Sequence, residues 1–459
     1  MGPTAEGNFG YNEMSTREEI EQFAEDYMPQ VTDYVRIPSI SAQNQGISET
    51  AAWLENAFRE LDAKTVTQWH DQGGNPVVFA EFIGASDQTV LFYNHYDVQP
   101  PTPLDEWQTE PFEPTRVGDK MVARGIADDK GELMSRLTAL RYMHDHGGYP
   151  VNMKFLVEGE EEIGSIHVGD YVHAHAAELA CDVCVWEGGG KNEAEHFTVG
   201  LGVKGIVSFD IDVQTADTDM HSSMAAYVDN AAWRLVEAVS TLRDPATKKV
   251  RVDGFYDGIE QLDAQTQAAV DAMDFDADTI KAAHGVRRPF ITDDPRTDVV
   301  NQPTITINGL TSGYEGEGVK TVIPKYAKAK LDCRLVPGQD PHDIYKKIRK
   351  QLDVNGFPDV KMHFNLSEDA YRSDMSNSFV QRAKRVADEV YGAENTRFVP
   401  NSAGSGPEPQ FATELNVPII SVGIGWSGSG AHAPNESIRI PDYREGTYYM
   451  IELIHEFAK

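Results

Sequence analysis

The stretch Asn-Met-Lys-Phe-Leu-Val-Glu-Gly-Glu-Glu-Glu-Ile-Gly-Ser, residues 152–165, decides how the rest of the chain is read. Apolar Met153, Phe155, Leu156 and Val157 run directly into Glu160, Glu161 and Glu162 and stop at a glycine. The pattern predicts a buried strand that delivers carboxylates at its C-terminal end. Adjacent carboxylates repel, so such a cluster calls for water or for a cation between them. In open α/β sheets the carboxyl ends of strands are also where ligands sit. An acidic loop in an acidic protein accounts for the stretch equally well, and the rest of the chain decides between the two.

Working outward, Pro76–Ile83, Thr89–Tyr93 and Ala180–Trp186 are apolar runs of strand length. Between them, the region near Thr50–Ala63 places Ala52, Leu54, Phe58 and Leu61 at helical spacing, and Gly131–His146 reads as a second helix. Ser15, with Glu18 three residues on, predicts a capping box opening a helix with Ile20, Phe23, Ala24 and Tyr27. Residues 1–14 read as a flexible leader. Helices alternating with strands give an α/β fold with a mostly parallel sheet. After Gly200 the pattern changes: 203–213 and 304–336 alternate as strands, with a helix at Asn230–Leu242 between them. With 459 residues, two domains are the default.

The net charge of −33 disfavours nucleic acid and anionic membranes as partners. Three cysteines exclude a disulfide framework. Cys181 and Cys184 spell C-x-x-C within an expected strand, where their side chains would face opposite ways, which argues against a redox or zinc role. No secretory signal pattern and no apolar span of membrane length is present, so the expectation is a cytoplasmic protein.

Four more acid- or histidine-bearing segments fall at a strand end or in an adjoining loop. His95 and Asp97 end the second strand, two apart and so on one face, as a ligand and its orienting carboxylate would be; a polar strand end accounts for them too. Asp128 precedes a helix, where it either caps the dipole or bridges two cations. Glu187 enters a triple-glycine turn that lacks the lysine and hydroxyl of a phosphate loop. His432 sits in a glycine- and serine-rich loop. Together with Glu162 these make five candidate metal ligands: His95, Asp128, Glu162, Glu187 and His432. Mixed histidine and carboxylate ligation suits zinc, with cobalt or manganese as alternatives.

The segments HYDVQP (95–100), RGIADDKG (124–131), EGEEEIGS (158–165), WEGGG (186–190) and AHAPNE (431–436) resemble, in order, those of the zinc exopeptidase family of carnosinase, aminoacylase and carboxypeptidase G. KTVIP (320–324) and RLVPGQDP (334–341) resemble its carnosinase-type branch. The resemblance implies a three-layer catalytic domain from residues 15–202 and 374–459, with a smaller two-layer α/β lid and dimerisation domain, 203–373, inserted in it. It implies two divalent metal ions bridged by Asp128, one completed by His95 and Glu187, the other by Glu162 and His432. Glu161 would be the general base, and Asp97 would steady His95. Asp219-Met-His221-Ser222 resembles the family's D-L-H-S motif, which implies that His221 reaches across a homodimer to stabilise an oxyanion. Arg334, Thr321 and Ser405 would hold the substrate's terminal carboxylate, a task suited to a planar guanidinium. Two departures stand out. The carnosinase branch has aspartate where Glu187 stands, and SAGSGPEP (402–409) matches its glycine-glycine-serine loop only loosely. The expected activity is metal-dependent hydrolysis of dipeptides or short peptides. An N-acyl-amino-acid hydrolase is the alternative within the same chemistry. A non-catalytic binding protein is disfavoured because Glu161 would serve no purpose there.

Overall fold

The computed structural model describes residues 16–459. The expected leader, residues 1–14, and Ser15 lie outside them. The chain divides into two compact units, one comprising the described residues up to Gly200 with Ser373–Phe398 and Phe411–Lys459, the other Leu201–Arg372 with Val399–Gln410.

The first unit is built on a large mixed sheet whose centre is parallel. Strand Thr89–His95 pairs in parallel with Asn152–Glu158 on one side and with Val183–Trp186 on the other, and Ile419–Ser421 extends the parallel centre. Antiparallel strands Val77–Phe82 and Thr65–Trp69 continue one flank. The central strands are apolar on both faces, Leu91, Phe92, Tyr93, Phe155, Leu156 and Val185 all being buried, as parallel strands covered by helices require. Helix Ile47–Glu60 packs on the flanking strands and helix Lys130–Asp145 on the His95 strand. The latter helix has no polar face, and every residue from Lys130 to Leu140 is buried.

Two local readings change. Helix Arg17–Asp26 opens on a capping box of Thr16 and Glu19, one residue beyond the expected pair, whose Ser15 lies outside the described residues. Thr16 Oγ1 accepts the Glu19 N–H at 3.3 Å and Glu19 Oε2 accepts the Thr16 N–H at 2.8 Å, so the reciprocal bonds start one residue later. The third central strand begins at Val183, so Cys184 lies within it and Cys181 before it; neither is in a disulfide.

In the second unit, four antiparallel strands run in the order Thr304–Ser312, Tyr326–Leu335, Gly205–Gln214, Lys361–Glu368. The middle two alternate buried and accessible positions, and helices Ala231–Ser240 and Pro341–Val354 cover the inward face. Val207, Phe209, Ile211, Leu331 and Cys333 meet Leu235, Ile344 and Ile348 in this two-layer core. Among the described residues no helix is long and apolar enough to cross a membrane.

Candidate metal centre

The C-terminal ends of the three central strands converge in the first unit. His95 terminates its strand and is fully buried. Its Nδ1 is held by Asp97, at 3.0 Å from the main-chain carbonyl and 3.4 Å from the carboxylate, which leaves Nε2 facing the other donors. The Asp97 carboxylate also accepts the backbone N–H groups of Glu161 (3.2 Å) and Glu162 (3.1 Å). One buried aspartate thus orients an imidazole and anchors the turn, Glu161–Ile163, that follows the opening strand.

Asp128 stands between the two histidines. Its Oδ1 is 3.0 Å from His95 Nε2, and its Oδ2 is 3.0 Å from His432 Nε2. Each oxygen of one carboxylate therefore faces a different imidazole. His432 Nε2 lies a further 3.0 Å from Glu162 Oε2, whose own orientation is set by Gln99 Nε2 donating to it at 2.8 Å. Glu187 follows strand Val183–Trp186 directly. Donor atoms of His95, Asp128 and Glu187 all lie within 4.8 Å of one another, and so do those of Asp128, Glu162 and His432. The chemistry of the set fits a pair of divalent cations, with two imidazoles, three carboxylates and the shared one in the middle. Glu161 belongs to neither trio. Its Oε2 is 3.9 Å from His95 Nε2, and it lines an open cavity of about 460 Å³ together with Asp128, Glu187 and His432.

The electrostatics express crowded charge. Against the pull of burial, contacts with Asp128 and Asp97 raise the His95 imidazole well above its ordinary value. Bonds to Asp128 and Glu162 push His432 up to about 10. Burial raises the Glu187 carboxyl strongly, and it raises Glu161, with Asp128 and Glu162 adding repulsion. Asp128 moves the other way: despite burial, its hydrogen bonds to His432 and His95 hold it below the carboxylate range.

A buried layer behind the donors escaped the sequence reading. Arg136, fully buried, donates to the carbonyls of Tyr93 (2.8 Å) and Trp186 (2.6 Å) and to Asn94 Oδ1 (2.8 Å), tying together the ends of the strands that carry His95 and Glu187. Asn94 Nδ2 and the His95 N–H both donate to Asp129 Oδ2, at 2.7 and 2.9 Å. An arginine and a glutamate inside a helix with no polar face were the available signal. Of the two tryptophans beside ligands, Trp186 is core, stacked on Tyr93 with ring centroids 3.6 Å apart, whereas Trp426 lines the cavity. Of the glycines after Glu187, Gly190 serves close approach: a Cβ on it (φ +125°) would lie 2.0 Å from the Gly425 carbonyl oxygen.

The remaining candidates lie in the second unit. Thr321 Oγ1 is 3.3 Å from His221 Nε2, and Arg334 donates to Ser405 Oγ at 2.8 Å. These are two separate pairings within that unit.

Residues 91–456 match the family model described as Peptidase family M20/M25/M40. The Cys-Gly metallodipeptidase dug1 of Schizosaccharomyces pombe is 27% identical over 96% of this chain and 97% of its own length. Human β-Ala-His dipeptidase is 26% identical over 84% of this chain and 78% of its own length. The solved M20 family metallo-carboxypeptidase Sso-CP2 from Sulfolobus solfataricus superimposes with a TM-score of 0.86 at 35% identity, covering 94% of this chain and 99% of that one.

Proposed function

The chain belongs to the M20/M25/M40 peptidase family and is a metallopeptidase, and from that premise we propose that it hydrolyses the amide bond of dipeptides and short peptides at a pair of divalent cations, zinc being the first choice. The observation that carries this reading is the Asp128 carboxylate, with one oxygen on His95 and the other on His432. His95, Asp128 and Glu187 would hold one cation; Asp128, Glu162 and His432 would hold the other. Bound there, divalent cations supply Lewis acidity to the scissile carbonyl and to the attacking water.

The protein's own part begins with Asp97, which fixes the His95 tautomer and the Glu161–Glu162 turn together. Glu161, free of both donor trios, takes a proton from the attacking water and returns it to the departing amine nitrogen. Burial already raises its carboxyl, which favours the protonated form through which that transfer passes. Water adds to the carbonyl carbon, the C–N bond breaks, and a carboxylic acid and an amine leave without a covalent enzyme intermediate. Arg334, with Ser405 and Thr321, receives the substrate's terminal carboxylate. His221 stabilises the oxyanion, donated across a homodimer. Residence in the cytoplasm belongs to the same reading.

The relatives favour peptides over N-acyl amino acids, since those named above are two dipeptidases and a carboxypeptidase. Turnover of Cys-Gly, β-Ala-His and Ala- and Gly-containing dipeptides, against N-acetylated amino acids, in added zinc or manganese, tests it. Hydrolysis of the peptide panel is expected. Activity on the acetylated panel alone would replace peptidase with deacylase, and none on either would leave a binding protein.

A further inference from the structure

Glu436 lies four residues beyond His432, and its carboxylate is wholly enclosed. Each of its oxygens receives two donors. Oε2 accepts from Arg124 Nη1 at 2.6 Å and from the Gly125 N–H at 2.9 Å. Oε1 accepts from the Ala127 N–H at 2.8 Å and the Asp128 N–H at 3.0 Å. The Glu436 carbonyl also accepts the Ala123 N–H at 3.1 Å, and strand Ser437–Arg439 pairs antiparallel with Lys120–Val122. The segment after His432 and the segment before Asp128 are thereby closed into one clasp. On its outer side Asn435 pins the same loop, accepting the Gln108 N–H at 2.7 Å and donating to the Glu106 carbonyl at 2.9 Å.

We propose that Glu436 is a positioning residue that holds Asp128 and His432 in one frame, and that it governs the cation position of Asp128, Glu162 and His432 far more than that of His95, Asp128 and Glu187. The inference rests on the two-cation reading above. Its asymmetry follows from how the donors are mounted. His95 and Glu187 arrive from the ends of central strands that are paired with one another and with no residue of the clasp. In the other trio, Asp128 and His432 both hang from the clasp, and His432 is held in left-handed backbone (φ +63°), a conformation that a non-glycine residue keeps only when its surroundings impose it.

A carboxylate is required at 436, and its isosteric amide will not serve. Four N–H groups converge on two oxygens, so a glutamine would aim its own NH₂ at two donors whichever way it turned. Donor against donor in a buried site repels, and the Asp128 turn would move away.

The test is calorimetric titration of chelator-stripped wild type and Glu436→Gln with zinc alone, with circular dichroism to follow the fold. Wild type is expected to take up two ions. Glu436→Gln should weaken one ion only slightly, through the shared Asp128, and bind the second about ten- to a hundredfold more weakly. Arg124→Lys, which leaves the three backbone donors in place, should show the same asymmetry at smaller size, and it decides the matter if Glu436→Gln does not fold. Equal weakening of both ions, or no weakening of either, overturns the clasp. Fewer than two ions on wild type would instead overturn the two-cation reading on which it stands.

Discussion

Glu161 and Glu162 are neighbours from which the chemistry asks opposite things. Glu162 is fixed, 3.0 Å from His432 Nε2 and held by Gln99, whereas Glu161 stands outside both trios and faces the cavity. Glu161→Gln is accordingly expected to retain both metal ions, by elemental analysis, while kcat falls by about a hundredfold or more through loss of the proton carrier. A variant that loses metal would reverse the two assignments. A second residue yields a pH prediction. Burial pushes the Glu158 carboxyl up to about 8, only partly offset by the hydroxyls of Tyr93 and Ser165 that donate to it at 2.6 and 2.8 Å. A carboxyl raised on folding supports the fold fully below its unfolded value, and that support is lost as pH rises through the folded value. Glu158→Gln keeps the accepting oxygen without the charge. Its melting temperature relative to wild type should therefore be higher above about pH 8 than near about pH 5. At this scale the sequence was partly legible. The five donors are histidines and acids at strand ends or in loops, and the structure brings them together. Glu436 and Arg136 were not legible as a supporting layer because their partners are mainly backbone N–H and C=O groups, which every residue type carries.

The elements show why strand ends matter. Apolar runs with both faces buried announced the parallel centre of the sheet, and the short turns after them announced the donors. Strand Thr65–Trp69 and the two-residue pairing of Gly190–Lys191 with Gly425–Trp426 had no comparable pattern, because the first is only partly buried and the second depends on a partner distant in sequence. Nor did anything in 399–410 indicate that this segment would pack with the second unit. The start of helix Lys130–Asp145 is the most exacting junction. A Cβ on Gly131 would lie 1.9 Å from the Ile126 carbonyl oxygen, within the turn that presents Asp128. Because backbone cannot yield as a side-chain tip does, Gly131→Ala should cost about 1–3 kcal/mol and lower the affinity for metal as well. Thermal melts with and without zinc would register both, and an unshifted melt would mean that the turn has room to spare.

At the scale of the whole molecule, the residues proposed to act on substrate divide between the units, Glu161 with the metal donors in one, His221 and Arg334 in the other. If His221 serves the site of a second copy, Glu161→Gln and His221→Ala should each be nearly inactive alone. Refolded together they would form mixed dimers with one intact site, restoring roughly a quarter of wild-type turnover. Activity that stays at the level of the separate variants would confine His221 to its own chain. The crowding around Asp128 has one more consequence, for handling the protein. Hydrogen ions are natural counter-charges in such a nest of acids, and alkali takes them away. Chelation in mild acid should leave a quiet, refillable protein, whereas the same treatment at high pH would uncover bare anions in a chain already at −33, and such preparations should loosen first at this spot.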